Sequence, residues 1–319
     1  MRSSRLCACF GLVFLAMGLS SVAVVRAADV LVTAGEAPPS GGALEGLARL
    51  ELAGSDHVGG LSAALLLDDD RLMLASDRGW LLEARMRFGA GGRLVDLVDW
   101  RRSRPPLPAG WSRDLEGLAA SEGNLLLSVE EPPHVIRFEG AVDAPERVAS
   151  YLTWDSFGFE ANRGFEALVD LPDGGWLAIA ETAWAEGHTA VTRDGRRFRY
   201  QAADGFAPTG ADRVGARIFV LERRVSMLGG WQARVACLDL AALGRAGLLA
   251  PVELARLDAN AGIDNMEGIV ALARGDDVDL LLVSDDNQSP FQQSLVLHYR
   301  WTPPASGGCG PSAHEPAEG

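Results

Sequence analysis

Acidic residues recur in this chain at matching points of a repeated phrase. The phrase appears as GGLSAALLL at Gly59, DLEGLAA at Asp114, GFEALVDL at Gly164, GFAPTGAD at Gly205 and NMEGIVAL at Asn265. After a turn, each copy is followed by an apolar run that ends in acid: RLMLASDRG, NLLLSVEEP, GWLAIAET, ARIFVLERR and DLLLVSDDN. The starts carry Asp114, Glu116, Glu166, Asp204, Asp264 and Glu267, and the ends carry Asp77, Glu130, Glu131, Glu181, Glu222, Asp285 and Asp286. Carboxylates gathered in one place raise one another's pKa unless a cation or arginines offset them. A hard cation such as Ca2+ suits an all-oxygen set, with Glu116, Glu166, Glu267 and Asp285 as ligands and Asn265 and Asn287 as further donors. Arg78, Arg113, Arg163 and Arg223 adjoin the acids and are the other available compensation. Singly, each acid reads as a turn cap or half of an ion pair. As a set at equivalent points of diverged repeats, they read as a binding mouth. There Asp77 or Glu131 is placed to accept a proton from water, and Arg78 to steady developing negative charge.

Other chemistry is sparse. The chain has no Gly-x-Ser-x-Gly, His-Glu-x-x-His or Walker loop, and no Gly-x-Gly-x-x-Gly after a strand. Every basic residue is Arg, which excludes a Schiff-base or P-loop lysine. His57 precedes the first repeat and is a candidate general base. His134, His188 and His298 fall in third-strand positions, where a lone His is more often packed than catalytic. Ser62 and Ser284 flank the mouth without a visible His and acid beside them, and read as turn residues.

The elements that must position these acids follow from the same repeat. Taking Gly60, Gly117, Ala167, Pro208 and Gly268 as equivalent points, the mean spacing is 52 residues, the period of blade-type repeats. Turn signals at Asp68-Asp69-Asp70, Glu122-Gly123-Asn124, Pro172-Asp173-Gly174-Gly175 and Gly275-Asp276-Asp277 make each phrase and its following run a hairpin. Third and fourth alternating runs complete most units. The last unit supplies three runs, ending at Leu295 to Trp301, and an unassigned strand lies at Leu44 to Leu52. Pairing these two closes an all-β five-bladed β-propeller and removes its exposed edges. A six-bladed ring is the alternative if the N-terminal ADVLVTAGEAPPSGG segment and the tail build more. In antiparallel blades the starts of first strands and the ends of second strands share one face, so the acids converge. LDLAALGRAGLL near Leu238 is the one serious helix candidate.

Composition bounds the partners. The formal net charge of −14 becomes −17 once the first 27 residues are removed, because they hold Arg2, Arg5 and Arg26 and no acid. That excess argues against nucleic acid or an anionic membrane surface and for cations or neutral small molecules. Residues 1–27 combine a basic start, an apolar run and Val25-Arg26-Ala27, and read as a signal peptide for a periplasmic or secreted protein. No later stretch is apolar and long enough to span a bilayer. Residues 28–302 form the propeller domain, and the Pro-, Gly- and Ser-rich 303–319 reads as a disordered tail. The mature chain keeps Cys237 and Cys309, whose separation in space spacing does not reveal.

The phrases themselves resemble a family. GLSAALLLDDDRLMLASDRG, DLEGLA with VEEPPHVIRF, NRGFEALVDLPDGGWLAIAE, and IDNMEGIVAL followed by LLVSDDNQSPFQQSLVLHY are similar to the bacterial exported proteins of the esterase-like activity of phytase family, from Gly59 to Trp301. The fourth repeat departs, with Ala207-Pro208-Thr209 where others carry Glu. The resemblance implies a propeller in an exported hydrolase acting on carboxylester or phosphoester bonds of a small molecule. Two other readings stand beside it. One is a non-catalytic propeller that binds a ligand or an envelope protein; the other is a lactonase-like enzyme with a cation at its mouth.

Overall fold

The computed structural model describes residues 25–26, 30–54, 58–130, 133–153, 164–184, 187–227, 229–245, 247–305 and 307–310. Five antiparallel sheets follow one another along the chain. Blade 1 runs outward from Leu61–Asp68 through Arg71–Ser76 and Trp80–Phe88 to Leu94–Ser103. Blade 2 is Leu115–Ser121, Asn124–Val129, His134–Ala141 and Ala144–Thr153. Blade 3 is Phe165–Asp170, Trp176–Trp184, Gly187–Thr192 and Arg197–Tyr200. Blade 4 is Ala207–Val214, Arg217–Ser226, Gly230–Asp239 and Val252–Leu257. Blade 5 takes Asn265–Arg274, Asp277–Asp285 and Ser294–Trp301 from the C-terminal side, and Leu44–Ala53 from the N-terminal side. The inner strands touch in order around an axis, and the fifth returns to the first. The fold is therefore a closed five-bladed β-propeller, clasped by the strand pair expected for it. The N-terminal segment builds no sixth blade: Leu31–Gly35 adds an edge to blade 5.

Each blade buries both faces, which is why its strands read as near-continuous apolar runs. Five hydrophobic clusters fill the five blade interfaces. Alternation sorts neighbours between them: Trp176, Ala178 and Ala180 pack toward blade 2, while Leu177 and Ile179 pack toward blade 4. Tight approach at the axis demands small residues. A Cβ on Gly210 would lie 2.7 Å from the Glu267 carbonyl oxygen on the next blade.

Every inner strand carries a bulge at the repeated phrase, between Leu61 and Ala63, Leu115 and Gly117, Phe165 and Ala167, Pro208 and Gly210, and Met266 and Gly268. The equivalent points are thus Ala63, Gly117, Ala167, Gly210 and Gly268, so Gly60 and Pro208 are replaced in the set derived from spacing. A bulge frees the carbonyl beside it. Hydroxyls of the preceding blade take up that carbonyl in three places: Ser62 Oγ donates to Leu115 O, Ser128 Oγ to Phe165 O at 2.6 Å, and Thr209 Oγ1 to Met266 O at 3.1 Å.

Two segments depart from expectation. LDLAALGRAGLL forms a short 3-10 turn, Leu240–Gly244, followed by Leu248–Leu249, which joins the edge of blade 3. The tail is held at 307–310: Arg217 Nη2 donates to Gly307 O at 2.6 Å, and Cys309, 2 % exposed, is disulfide-bonded to Cys237 with a Cα–Cα distance of 5.4 Å. The expected signal segment lies outside the described residues except for Val25–Arg26, which pairs with Arg101 and Arg102 at the edge of blade 1. Residues 311–319 also lie outside them.

Candidate functional site

The bulges build the mouth. A bulged residue is left out of the ladder, and the five are Ser62, Glu116, Glu166, Thr209 and Glu267. Glu116, Glu166 and Glu267 come from three blades and interact electrostatically across the axis. Registers locate a second ring just above. Leu61, Leu115, Phe165, Pro208 and Met266 pair with Ser76, Val129, Ala180, Glu222 and Ser284. The residue after each of those partners is Asp77, Glu130, Glu181, Arg223 and Asp285. Four blades place a carboxylate there, and blade 4 places a guanidinium.

Arg223 is the residue that sequence reasoning underrated. Its Nη1 donates to Asn265 Oδ1 at 2.5 Å and to Glu267 Oε1, and its Nη2 donates to Glu181 Oε1 at 3.2 Å. Asn265 Nδ2 completes the cradle by donating to Glu267 Oε1 at 2.8 Å. Glu166 is served less well. It is 6 % exposed, its Oε2 accepts no hydrogen bond, and Arg223 Nη2 lies 3.9 Å away.

Burial pushes Glu116 and Glu166 well above the ordinary carboxylate range. Around Glu116 the acids Glu166, Asp114, Glu130 and Glu267 reinforce the shift; around Glu166, Arg223 opposes it and Glu181 and Glu267 reinforce it. Burial likewise raises Glu267 to about 8 against the pull of Arg223, and Asp285 to about 6, with Asp77 and Asp286 adding repulsion. Asp77 is raised by burial and by Asp114 and Asp286, with Arg78 opposing. Asp77 also presses on the chain beside it: Gly60 has φ +64°, and a Cβ there would lie 1.9 Å from Asp77 Oδ1.

Of the acids expected as cation ligands, Glu116, Glu166, Glu267 and Asp285 all reach this mouth, with different neighbours. Asp114, Glu116 and Glu130 bring oxygens within 4.8 Å of one another, a closer grouping than that expected set from three blades. Glu267 faces Arg223 instead, and Asp285 Oδ1 accepts from Asn287 N at 2.7 Å. Asp77 and Arg78 stand on the rim, whereas Glu131 and His57 lie outside the described residues. Glu222 belongs elsewhere. It is fully buried and accepts from Tyr200 Oη at 2.7 Å, Ala203 N at 3.0 Å and Arg234 Nη1 at 2.6 Å, which stitches blade 3 to blade 4. Asp264 braces the loop after blade 5's second strand, accepting from Gln292 Nε2 and Gln293 N at 2.9 Å each. The strand histidines are packed as expected: His188 bonds the Ala180 and Phe206 carbonyls, and His298 lies 3.2 Å from buried Asp279.

An all-oxygen, strongly acidic grouping with an orphaned buried carboxylate oxygen fits a hard divalent cation. A closed ring of five blades around such a mouth defines a β-propeller with an acidic candidate cation site. The chain belongs to the Phytase-like family, described as esterase-like activity of phytase, which it matches over residues 56–288. No curated protein matches it. Solved structures similar in fold include that of a nidogen/laminin complex (TM-score 0.41, 10% identity, 83% of this chain and 96% of that one). Another is the PQQ-bound aldose sugar dehydrogenase of Streptomyces coelicolor (TM-score 0.37, 12% identity, 86% and 100%). A third is the phage phi92 endosialidase (TM-score 0.43, 11% identity, 93% and 54%).

Proposed function

We propose that this chain is an exported hydrolase of small-molecule ester or phosphoester bonds, working at the acidic mouth with a bound divalent cation, Ca2+ by the chemistry of the donors. The observation that carries the reading is the double ring. Seven carboxylates from four blades face Arg223, and the Asp114, Glu116 and Glu130 oxygens approach within 4.8 Å. Proteins keep such repulsion where a ligand relieves it. Asp114, Glu116 and Glu130 would hold the cation, with Glu166 Oε2 as an added oxygen. The chemistry a cation would supply there is Lewis-acid polarisation of the scissile group and easier loss of a proton from the attacking water.

The chain's own residues supply the rest. Asp77, its carboxyl raised above the ordinary range by burial and by Asp114, would take a proton at its carboxylate. Arg78 beside it faces negative charge that develops on the substrate. Arg223 holds Glu181 and Glu267 in place so that the mouth does not fly apart. The Cys237–Cys309 disulfide supports export to the periplasm or medium, since such bonds persist in oxidising compartments.

The test is turnover of p-nitrophenyl acetate and p-nitrophenyl phosphate by the protein with Ca2+ or with chelator, alongside Glu116→Gln. Calcium-dependent turnover lost in the variant supports the reading. Calcium binding without turnover on either ester assigns the mouth to ligand binding instead.

A further inference from the structure

The face opposite the mouth holds a second feature that the ring chemistry does not use. Blade 3 turns there at residues 171–175 and 193–196, because its inner strand runs from Phe165 at the mouth to Asp170 at the far end. The connection between the third and fourth strands of blade 4 crosses the same face as the 3-10 turn Leu240–Gly244 and pairs Leu248 and Leu249 with Arg199 and Tyr200 of blade 3. Between this strap and the blade lies a cavity of about 580 Å3, in the size range of small-ligand sites.

Its walls are preformed. Leu171 N donates to Gly175 O, Thr192 N to Arg196 O and Arg245 N to Ala242 O, each within 3.1 Å, so both turns and the strap are fixed by their own backbone. Leu171, Trp176, Leu240 and Leu243 give it an apolar floor with one indole, and Arg193 and Arg196 stand at its lips. Asp173 Oδ1 is taken by Gly175 N at 3.0 Å, and Asp194 Oδ1 by the Thr192 hydroxyl at 2.5 Å. Each guanidinium is anchored by a carbonyl, Arg193 Nη1 on Gly174 O at 3.0 Å and Arg196 Nη2 on Leu243 O at 2.5 Å, and each such contact uses one of five donors. Both carboxylates keep their charge and further acceptor sites, and Arg193 Nη1 also lies 3.7 Å from Glu122 Oε2, but each guanidinium still has donors to offer.

We infer that this cavity is a second binding site, separate from the mouth, for a small amphipathic anion: a flat apolar body against Leu171, Leu240 and Leu243 with one carboxylate- or sulfonate-like group between Arg193 and Arg196. Such a ligand uses the apolar wall and the free guanidinium donors, with its apolar part displacing water from Leu171 and Leu243 and its charge forming charge-assisted hydrogen bonds.

The probes are anilinonaphthalene sulfonate and its uncharged counterpart N-phenylnaphthylamine, titrated by fluorescence against the full chain. One saturable site per chain is expected. In the Arg193→Gln, Arg196→Gln double variant the sulfonate should bind at least about tenfold more weakly and the uncharged dye unchanged. Gly244→Phe is the blocking variant, because Gly244 lines the cavity and a Cβ there meets nothing within 4 Å. It should abolish binding of both dyes at unaltered melting temperature. Absence of a saturable site overturns the inference, as does binding undiminished in both variants. Excess Ca2+ or chelator should leave the titration unchanged, and competition by either would place the dye at the mouth and likewise overturn it.

Discussion

Arg223 of blade 4 donates to Glu267 of blade 5 across the blade boundary, from a position that carries a carboxylate in every other blade. One guanidinium thereby offsets Glu181 and Glu267, and partly Glu166. Removing one partner of a largely buried ion pair costs far more than the pair is worth, because the remaining charge is left uncompensated. Arg223→Ala should lose about 3–5 kcal/mol in urea unfolding at neutral pH. Part of that loss should be recovered as pH falls below about 8, where Glu267 binds a proton.

Stability of the cation-free protein should fall as pH rises from about 4.5 to 8. Glu267 is raised from 4.5 to about 8 and Asp285 from 3.8 to about 6, so across this window the folded chain binds more protons than the unfolded one. Their contribution is present below the unfolded values and is lost as pH climbs through the folded ones. Asp279 has the opposite sign, since its burial is outweighed by hydrogen bonds from His298 and Arg300 that hold it at about 2, and it matters only below pH 4. Melting temperature followed against pH in chelator checks this; a flat or rising profile between pH 5 and 8 would contradict it.

Calcium should reverse that slope. A cation competes with protons for Asp114, Glu116 and Glu130, so millimolar Ca2+ should raise the melting temperature more at pH 8 than at pH 5. Glu116→Gln should remove most of the calcium response. It should also raise the apparent stability without cation, because one of the mutually repelling acids is gone.

Packing at the axis leaves no space for a methyl group at Gly210. Gly210→Ala brings its Cβ against the Glu267 carbonyl and should destabilise the fold by about 1–3 kcal/mol, whereas Gly215→Ala, on an open turn with φ +59°, should cost less through backbone strain alone. Comparison of the two in denaturant separates crowding from conformation.

Reduction should loosen the C-terminal segment. The Cys237–Cys309 bond closes a loop with a sequence separation of 72, and its loss should cost about 2–4 kcal/mol. Cys309→Ser and dithiothreitol should lower the melting temperature by the same amount, with no additive effect.

Five repeats, the closing strand and the acid-bearing face were legible in the chain because apolar runs, turn residues and period all point the same way. The phase inside each repeat was not. A bulge inserts one unpaired residue, and a one-residue offset changes which side chain faces the axis. That offset put Glu222 in the expected ring where Arg223 stands, and hid the equivalence of Ser62 and Thr209 with Glu116, Glu166 and Glu267. Pairing Pro208 with Glu222 by hairpin register, rather than matching acid to acid, would have exposed Arg223. The bridge between Cys237 and Cys309 carried no local signal, since the tail that returns to blade 4 lies outside the repeats.

The clasp of Leu44–Ala53 on Ser294–Trp301 has a temporal consequence. A ribosome has made nearly all of the polypeptide before the last blade can find its fourth strand, so assembly of the circle waits on synthesis. Until then Glu267 and Asp285 have no fixed place opposite Glu116, and the nascent chain is spared the crowding of like charge that the finished molecule must bear.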